Sequence, residues 1–327
     1  MKTYSVQLYQ PKFAANWNAF VGQAKNATFL FHRDFMEYHQ DRFDDYSLVV
    51  TDQDKWVAIL PANKVGNEIY SHQGLSYGGL LVLPNIRTVD YFAIFSSLCQ
   101  FLIANEITQL NLKALPRIYE QSFSDELYQA LYVTKAQQTR SDLFLVVDKN
   151  EPYQPNRNRK RALKVAQELG IKIKEETQYD SFWDEVLTPN LQQRFGVNPV
   201  HSLAEITQLA DAFPQHIKLF NAYLDGALKA GCVLFIMPNV VHFQYSSGTD
   251  DRMDTAALDV LFNYVIQRYH PTHHVSFGNV SEQNGLKINQ GLAYWKESFG
   301  AKPIVQTYWT LPLQNAHLLE ALWKYPF

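Results

Sequence analysis

Ser276-Phe-Gly-Asn-Val-Ser-Glu-Gln-Asn-Gly-Leu-Lys-Ile-Asn-Gln-Gly-Leu-Ala-Tyr-Trp-Lys-Glu-Ser-Phe-Gly-Ala301 joins the end of a strand, a loop rich in glycine and amide side chains, and an amphipathic helix carrying one lysine. By local rules alone Asn289 caps that helix, Tyr294 and Trp295 pack, and Lys296 runs out to solvent.

Upstream of this stretch the chain alternates strands and turns. His216–Tyr223 reads as a strand, Leu224-Asp-Gly226 as a hairpin turn, and Ala230–Ile236 and Val240–Tyr245 as two more strands. The loop Ser246-Ser-Gly-Thr-Asp-Asp251 leads to a helix over Thr255–Tyr269, and the strand His273–Phe277 closes the unit. The first half has the same plan. Strands over Ser47–Thr51, Lys55–Ala62 and Glu68–Ser71 precede the glycine loop Gly74–Gly79; a helix over Thr88–Asn105 and the strand Gln109–Lys113 follow. Three antiparallel strands, a turn-rich loop, a helix and a strand thus occur twice, about 170 residues apart. Between the halves, Asp148-Lys-Asn-Glu-Pro-Tyr-Gln-Pro-Asn156 contains two prolines and reads as a linker, which places a boundary near residue 150.

The quoted stretch resembles the C-terminal signature of tandem GNAT-fold acyltransferases of the Fem type, and the order of elements in both halves resembles the GNAT fold. The resemblance implies an α/β (α+β) chain of two tandem GNAT-like domains, 1–150 and 151–327, each a mixed, largely antiparallel sheet flanked by helices. It also implies that the strand before the central helix splays away to admit a thioester or aminoacyl donor. By the same resemblance, the strand is expected to end at a substrate cleft, Asn289-Gln-Gly-Leu292 to start the last helix, and Lys296 to lie near the reacting groups. Phe31-His-Arg-Asp-Phe-Met-Glu-Tyr-His-Gln-Asp-Arg-Phe43, together with Ser71-His-Gln-Gly-Leu-Ser-Tyr-Gly-Gly79, is similar to acyltransferases found among bacterial surface-polysaccharide enzymes.

Composition bounds these implications. The 327 residues are 46% hydrophobic and 14% aromatic, ample for two packed interiors. A net charge of −3 argues against a general nucleic-acid coat. Cys99 and Cys232 lie in apolar runs without metal-ligand spacing, so they read as buried thiols of a reducing compartment, and no metal is expected. The N-terminus lacks an apolar signal core, and no run approaches the ~20 apolar residues of a membrane span, which leads us to expect a cytoplasmic protein.

Several clusters can carry chemistry. Lys296 is the candidate for charge stabilisation, Tyr245 for donating a proton or hydrogen bond to the leaving group, and His72, at a strand end beside glycines, for a catalytic base. Asn279 and Asn289 are candidates for hydrogen bonds to substrate. In Phe31–Phe43, the crowding of His32, Arg33, Tyr38, Asp41 and Arg42 among aromatic rings suits a sugar or peptide acceptor, with Tyr77 nearby; an amphipathic helix with a surface ion pair reads equally from the pattern. Arg157 to Gly170 reads as a helix with Leu163, Val165, Ala166 and Leu169 packed and Arg157, Arg161 and Lys164 on another face, either an anion site or a solvated surface. The loop with Gly248 and Arg252 sits where GNAT enzymes place their pyrophosphate-binding turn, but Asp250, Asp251 and Asp254 oppose an anion there. The expected cosubstrate is acetyl-CoA or another acyl-CoA, and the acceptor a small sugar or cell-wall precursor. Aminoacyl-tRNA fits the Fem-like signature, but the balanced charge disfavours it, and the eroded donor loop also leaves open a catalytically silent carbohydrate- or nucleotide-binding module.

Overall fold

The computed structural model describes residues 4–324, except the side chains of Arg252 and Met253. Of these residues, those up to Asp142 together with those from Val305 onward form one compact unit, and Leu143–Ile304 form the other.

In the first unit Ser5–Leu8, Leu48–Asp52, Lys55–Leu60 and Leu81–Val82 form an antiparallel sheet. Their alternate apolar residues Leu48, Val50, Ala58, Leu60 and Val82 face the helix Thr88–Ala104, which contributes Tyr91, Phe95, Leu98 and Leu102 at helical spacing. Pro61 lacks an N–H and ends the third of these strands. Glu68–Tyr70 therefore does not extend this sheet, as the sequence suggests. It pairs antiparallel with Asn63–Val65 and parallel with Gln109–Lys113. On its other side Gln109–Lys113 pairs antiparallel with Tyr308–Pro312, the end of the strand Lys302–Pro312.

Phe31–Phe43 is not one helix. A short turn, Arg33–Met36, runs into a 3-10 stretch, Glu37–Arg42, broken at His39 with φ −129° and ψ 28°. The loop after Glu68–Tyr70 folds against this break. A Cβ on Gly74 would collide with the His39 ring and come within 2.6 Å of Phe43, so only glycine allows the approach.

In the second unit Lys172–Glu176, Ile217–Leu224, Ala227–Ile236 and Val240–Gly248 form an antiparallel run. The turn at Asp225 and Gly226 has φ 51° and 83°, both positive, as a tight two-residue hairpin requires. The helix Ala257–Tyr269 packs Leu261, Phe262, Val265 and Ile266 on this sheet, and His274–Asn279 returns parallel to Val240–Gly248. Strand, strand, strand, helix, parallel strand is the arrangement expected from the sequence, a mixed, largely antiparallel sheet flanked by helices. The segment between residues 171 and 216 was not anticipated. It holds the strand Lys172–Glu176, a π-helical turn Phe182–Leu187 and the helices Thr188–Phe195 and Leu203–Ala212. The last of these starts with a capping box of Ser202 and Glu205, a signal that is legible in the sequence.

Candidate active site

The strands Val240–Gly248 and His274–Asn279 pair only from Val240 to His242, opposite His274 to Ser276. Beyond that point they part, for two local reasons. Against Ala227–Ile236 the pairing steps from Phe243↔Leu234 to Tyr245↔Val233, so Gln244 is an extra residue that bulges and turns the strand. On the other strand, Gly278 takes φ 72° and the pairing with the strand Gln137–Val147 shifts between Ser276 and Asn279. A side chain at Gly278 would be strained at that φ and would press on His242, 3.3 Å away.

Lys296 enters at this splay. Its helix, Gln290–Glu297, is fixed at its start by Asn289, whose Oδ1 accepts the Leu292 N–H at 3.0 Å and whose Nδ2 donates to Glu282 at 2.8 Å. In the last turn of the helix, Lys296 Nζ donates to the carbonyls of Gly278, at 3.2 Å, and Asn279, at 2.9 Å. The side chain is 5% exposed, so it is not the solvated lysine of the local reading. Burial lowers its pKa to about 7, and no carboxylate of the described residues forms an ion pair with it. Beside it, His242 lies 3.1 Å from Ser276 Oγ through Nδ1. Burial first, and the Lys296 charge second, lower the His242 pKa to about 4, so this ring is neutral at pH 7. The sequence reading missed His242, although it alternates with the core residues Val241 and Phe243 and so faces away from them.

Two other candidates are placed differently from their expected roles. The Tyr245 hydroxyl accepts the His201 N–H at 3.1 Å and lies 2.6 Å from His201 Nδ1, with Trp183 edge-on to its ring at 5.1 Å. Burial raises its pKa to about 12. Asn279 uses its amide on its own turn: Oδ1 accepts the Ser281 N–H at 2.7 Å, and Nδ2 donates to Ser281 O at 3.3 Å. Its backbone carbonyl, not its side chain, is what meets Lys296.

The expected pyrophosphate turn is shorter than the sequence suggests. Ser246 to Gly248 are paired with Cys232 to Ala230, so Gly248 belongs to the strand, where its carbonyl accepts from Asn190 at 2.6 Å. Asp251 forms an ion pair with Lys229 at 2.6 Å and accepts from Thr249 at 2.5 Å, which hold it ionised below the usual carboxylate range. Arg252–Thr255 make one short turn. Ala256, at φ 51°, separates it from the helix Ala257–Tyr269. The Arg252 side chain lies outside the described residues.

No family model matches the chain, and no curated protein matches it. Solved structures do. The crystal structure of FemX superimposes with a TM-score of 0.66 at 11% identity, covering 97% of this chain and 99% of that one. L-PGS from Bacillus licheniformis gives 0.57 at 9% identity, with 96% and 95% covered. A conserved protein of unknown function from Bacteroides thetaiotaomicron gives 0.58 at 9% identity, with 95% and 99% covered. The chain has the Fem-like GNAT fold.

Within this GNAT frame the basic helix has two faces. It spans Arg157–Glu168, capped by Asn156, whose side chain accepts the Arg159 N–H at 2.9 Å. Arg157 and Arg161 are exposed, as expected. Val165 and Leu169, read as packed, are instead 39% and 44% exposed. Ala166 is buried as expected, and with it Arg159, which forms an ion pair with Asp259, donates to Ser298 Oγ at 3.0 Å and lies 4.6 Å over the Phe299 ring.

In the first unit the acceptor candidates do not form one cluster. Arg33 is 2% exposed; it pairs with Asp45 at 2.6 Å and sits 3.3 Å over the Tyr9 ring and 4.1 Å over Trp17. That aromatic cage holds the fold and leaves no guanidinium surface for a substrate. Tyr77 is buried against Tyr119 and donates to Thr28 Oγ1 at 3.0 Å. His32 and Tyr38 are half-buried, and Asp41 and Arg42 are exposed. His72 is buried at φ 67°, with His39 and Phe43 edge-on at 5.4 and 5.3 Å. Burial above all lowers its pKa to about 3, and no hydrogen-bond partner meets its Nδ1.

Proposed function

We propose that this chain is an N-acyltransferase that moves an acyl group, with acetyl from acetyl-CoA favoured, to an amine on a sugar nucleotide, glycan or cell-wall precursor. The observation that carries the reading is Lys296, a buried lysine at the splay of two strands with two of its N–H groups on backbone carbonyls. As an ammonium it has a third N–H for an oxygen that gains charge. The amine nitrogen forms a bond to the thioester carbonyl carbon, the carbonyl oxygen takes the charge, the C–S bond breaks, and the amine proton leaves to the thiolate or to water. Lys296 stabilises the oxyanion at the middle of this sequence.

Tyr245 takes a positioning part. Passing a proton from a phenol held near 12 to a thiolate of ordinary pKa, about 8.5, is uphill by about 1.4 kcal/mol per unit, while its contacts with His201 tie the Val240–Gly248 strand to the segment before Leu203–Ala212. His72, neutral and in the first unit, is not assigned to proton transfer. Tyr38, Asp41 and Arg42 remain acceptor-side candidates, and Arg157 and Arg161 candidates for a phosphate.

An aminoacyl-tRNA donor is a second reading. The exposed cations Arg157, Lys160 and Arg161 on one helix favour it. Calorimetric titration of the full chain with acetyl-CoA separates the two. Binding tighter than about 1 mM, with turnover that falls at least a hundredfold in Lys296→Ala, is the expected result. No binding at millimolar acetyl-CoA removes the acetyltransferase reading and leaves the tRNA donor or a silent binding module. Turnover in Lys296→Ala within a few-fold of the original returns this lysine to a structural part.

A further inference from the structure

The first unit holds a cavity of about 150 Å³ lined by Tyr70, His72, Gln73, Asn111, Lys113 and Tyr308, among others. That is many times the roughly 10–15 Å³ one water needs, and far too little for a nucleotide. Its polar groups divide into those already satisfied and those that are not. Tyr70 donates to Glu68 at 2.8 Å, and the Asn111 amide is used on both sides, donating to Glu68 at 3.0 Å and accepting from Thr310 at 2.6 Å. Tyr308 donates to Asp142 at 3.1 Å, and Asp142 also holds Arg140 at 2.7 Å. Lys113 donates one N–H, to the Leu75 carbonyl at 2.6 Å, and makes no ion pair with a carboxylate of the described residues. His72 also lines the cavity, but its Nδ1 is fully enclosed and offers the cavity no surface.

Lys113 is half-buried, and the carboxylate whose charge reaches it, Asp142, is already paired with Arg140, so an anion in the cavity would complete the ammonium's contacts. The wall beside Lys113 carries the rings of Tyr70 and Tyr308, the combination of ring faces and directional polar groups that receives a sugar ring. We propose that this cavity binds an anionic monosaccharide, its ring against the aromatic wall and its carboxylate or phosphate on the free N–H groups of Lys113. The burial that lowers the Lys113 pKa to about 8 is the same feature seen from the proton's side, and a bound anion would raise it again.

The binding test needs no acyl donor, so it stands or falls apart from the transferase reading. The full-length protein is titrated calorimetrically at low ionic strength with glucuronate, glucose 6-phosphate and glucose. At least one anionic sugar should bind with a Kd near or below about 1 mM, glucose at least tenfold more weakly, and added salt should weaken only the anionic ligand. Whichever anion binds identifies the head group as carboxylate or phosphate. Lys113→Met, with its thermal midpoint checked, should reduce that affinity at least tenfold. The site is refuted if neither anionic sugar binds at about 10 mM, if glucose binds as well as they do, or if a folded Lys113→Met binds as tightly. Should that variant not fold, the comparison of anionic and neutral sugars in the unmodified protein decides alone.

Discussion

Lys296 is the residue whose environment has the largest consequences. Its pKa is lowered from the ordinary lysine value to about 7 because burial disfavours the ammonium. Below pH 7 the lysine is charged in both the folded and the unfolded chain, and folding bears the full cost of burying that charge. Between pH 7 and the unfolded value near 10.4 the unfolded chain holds the proton more tightly, so stability rises with pH. Lys296→Met removes this dependence. The variant should gain on the original protein as pH falls from 10 to 6, by an amount on the order of a few kcal/mol. Chemical denaturation at both pH values measures it, and parallel stability curves would show that the lysine is solvated in solution. If the ammonium is the catalytic form, kcat should also fall as pH rises through about 7. The resemblance of the quoted stretch picked out this residue, but not its burial, because nothing in the eight residues of its helix says that the carbonyls of Gly278 and Asn279 close over it. His242 was invisible for a similar reason: its meaning lies in Ser276, which only the parallel pairing brings beside it.

At the scale of an element, the helix Arg157–Glu168 shows how a charge pattern can mislead. Arg157, Arg161 and Lys164 recur at helical spacing, but so do Arg159, Leu163 and Ala166, and it is this second face that turns inward. Treating every arginine as polar hid it. Arg159 and Asp259 are both shifted toward their neutral forms, each chiefly by burial, so desolvation outweighs their mutual attraction. Removing one partner alone leaves a buried charge, and Asp259→Asn or Arg159→Met should therefore cost about 3–5 kcal/mol. Replacing both, as Arg159→Met with Asp259→Leu, should be milder than the sum of the two single changes. Thermal or urea unfolding of the three variants checks this, and additive losses would mean that the pair is not coupled. The double change Arg157→Ala and Arg161→Ala should leave stability within about 0.5 kcal/mol. If these two cations hold a phosphate, the same double change raises the KM of a phosphorylated substrate and flattens its salt dependence; unchanged kinetics at low and high salt assigns them to solubility.

Across the whole molecule, the repeated plan of strands, loop, helix and strand was legible because each copy carries its own periodicity. The destination of the last segment was not, because a strand does not state its partner. Val305 onward returns to the first unit: Tyr308–Pro312 pairs with Gln109–Lys113, Thr310 donates to Asn111 from 199 residues away, and Gln306 donates to the Ser76 carbonyl at 2.8 Å. Leu311, Leu313 and Leu319 are buried in the core with Leu110 and Leu112. Ending the chain at Ile304 removes those three leucines and unpairs one side of Gln109–Lys113. At about 1.5–3 kcal/mol for each fully buried leucine, the loss is roughly 5–9 kcal/mol, the size of a whole domain's stability. The first unit should then unfold although most of its sequence is intact, while the second, with all its strands from Lys172–Glu176 to His274–Asn279, keeps its core. Hydrogen exchange on the truncated chain reads this directly. Protection should be lost across Thr88–Ala104 and kept across Ala257–Tyr269; protection kept in both helices would mean that the last strand is dispensable to the unit it completes.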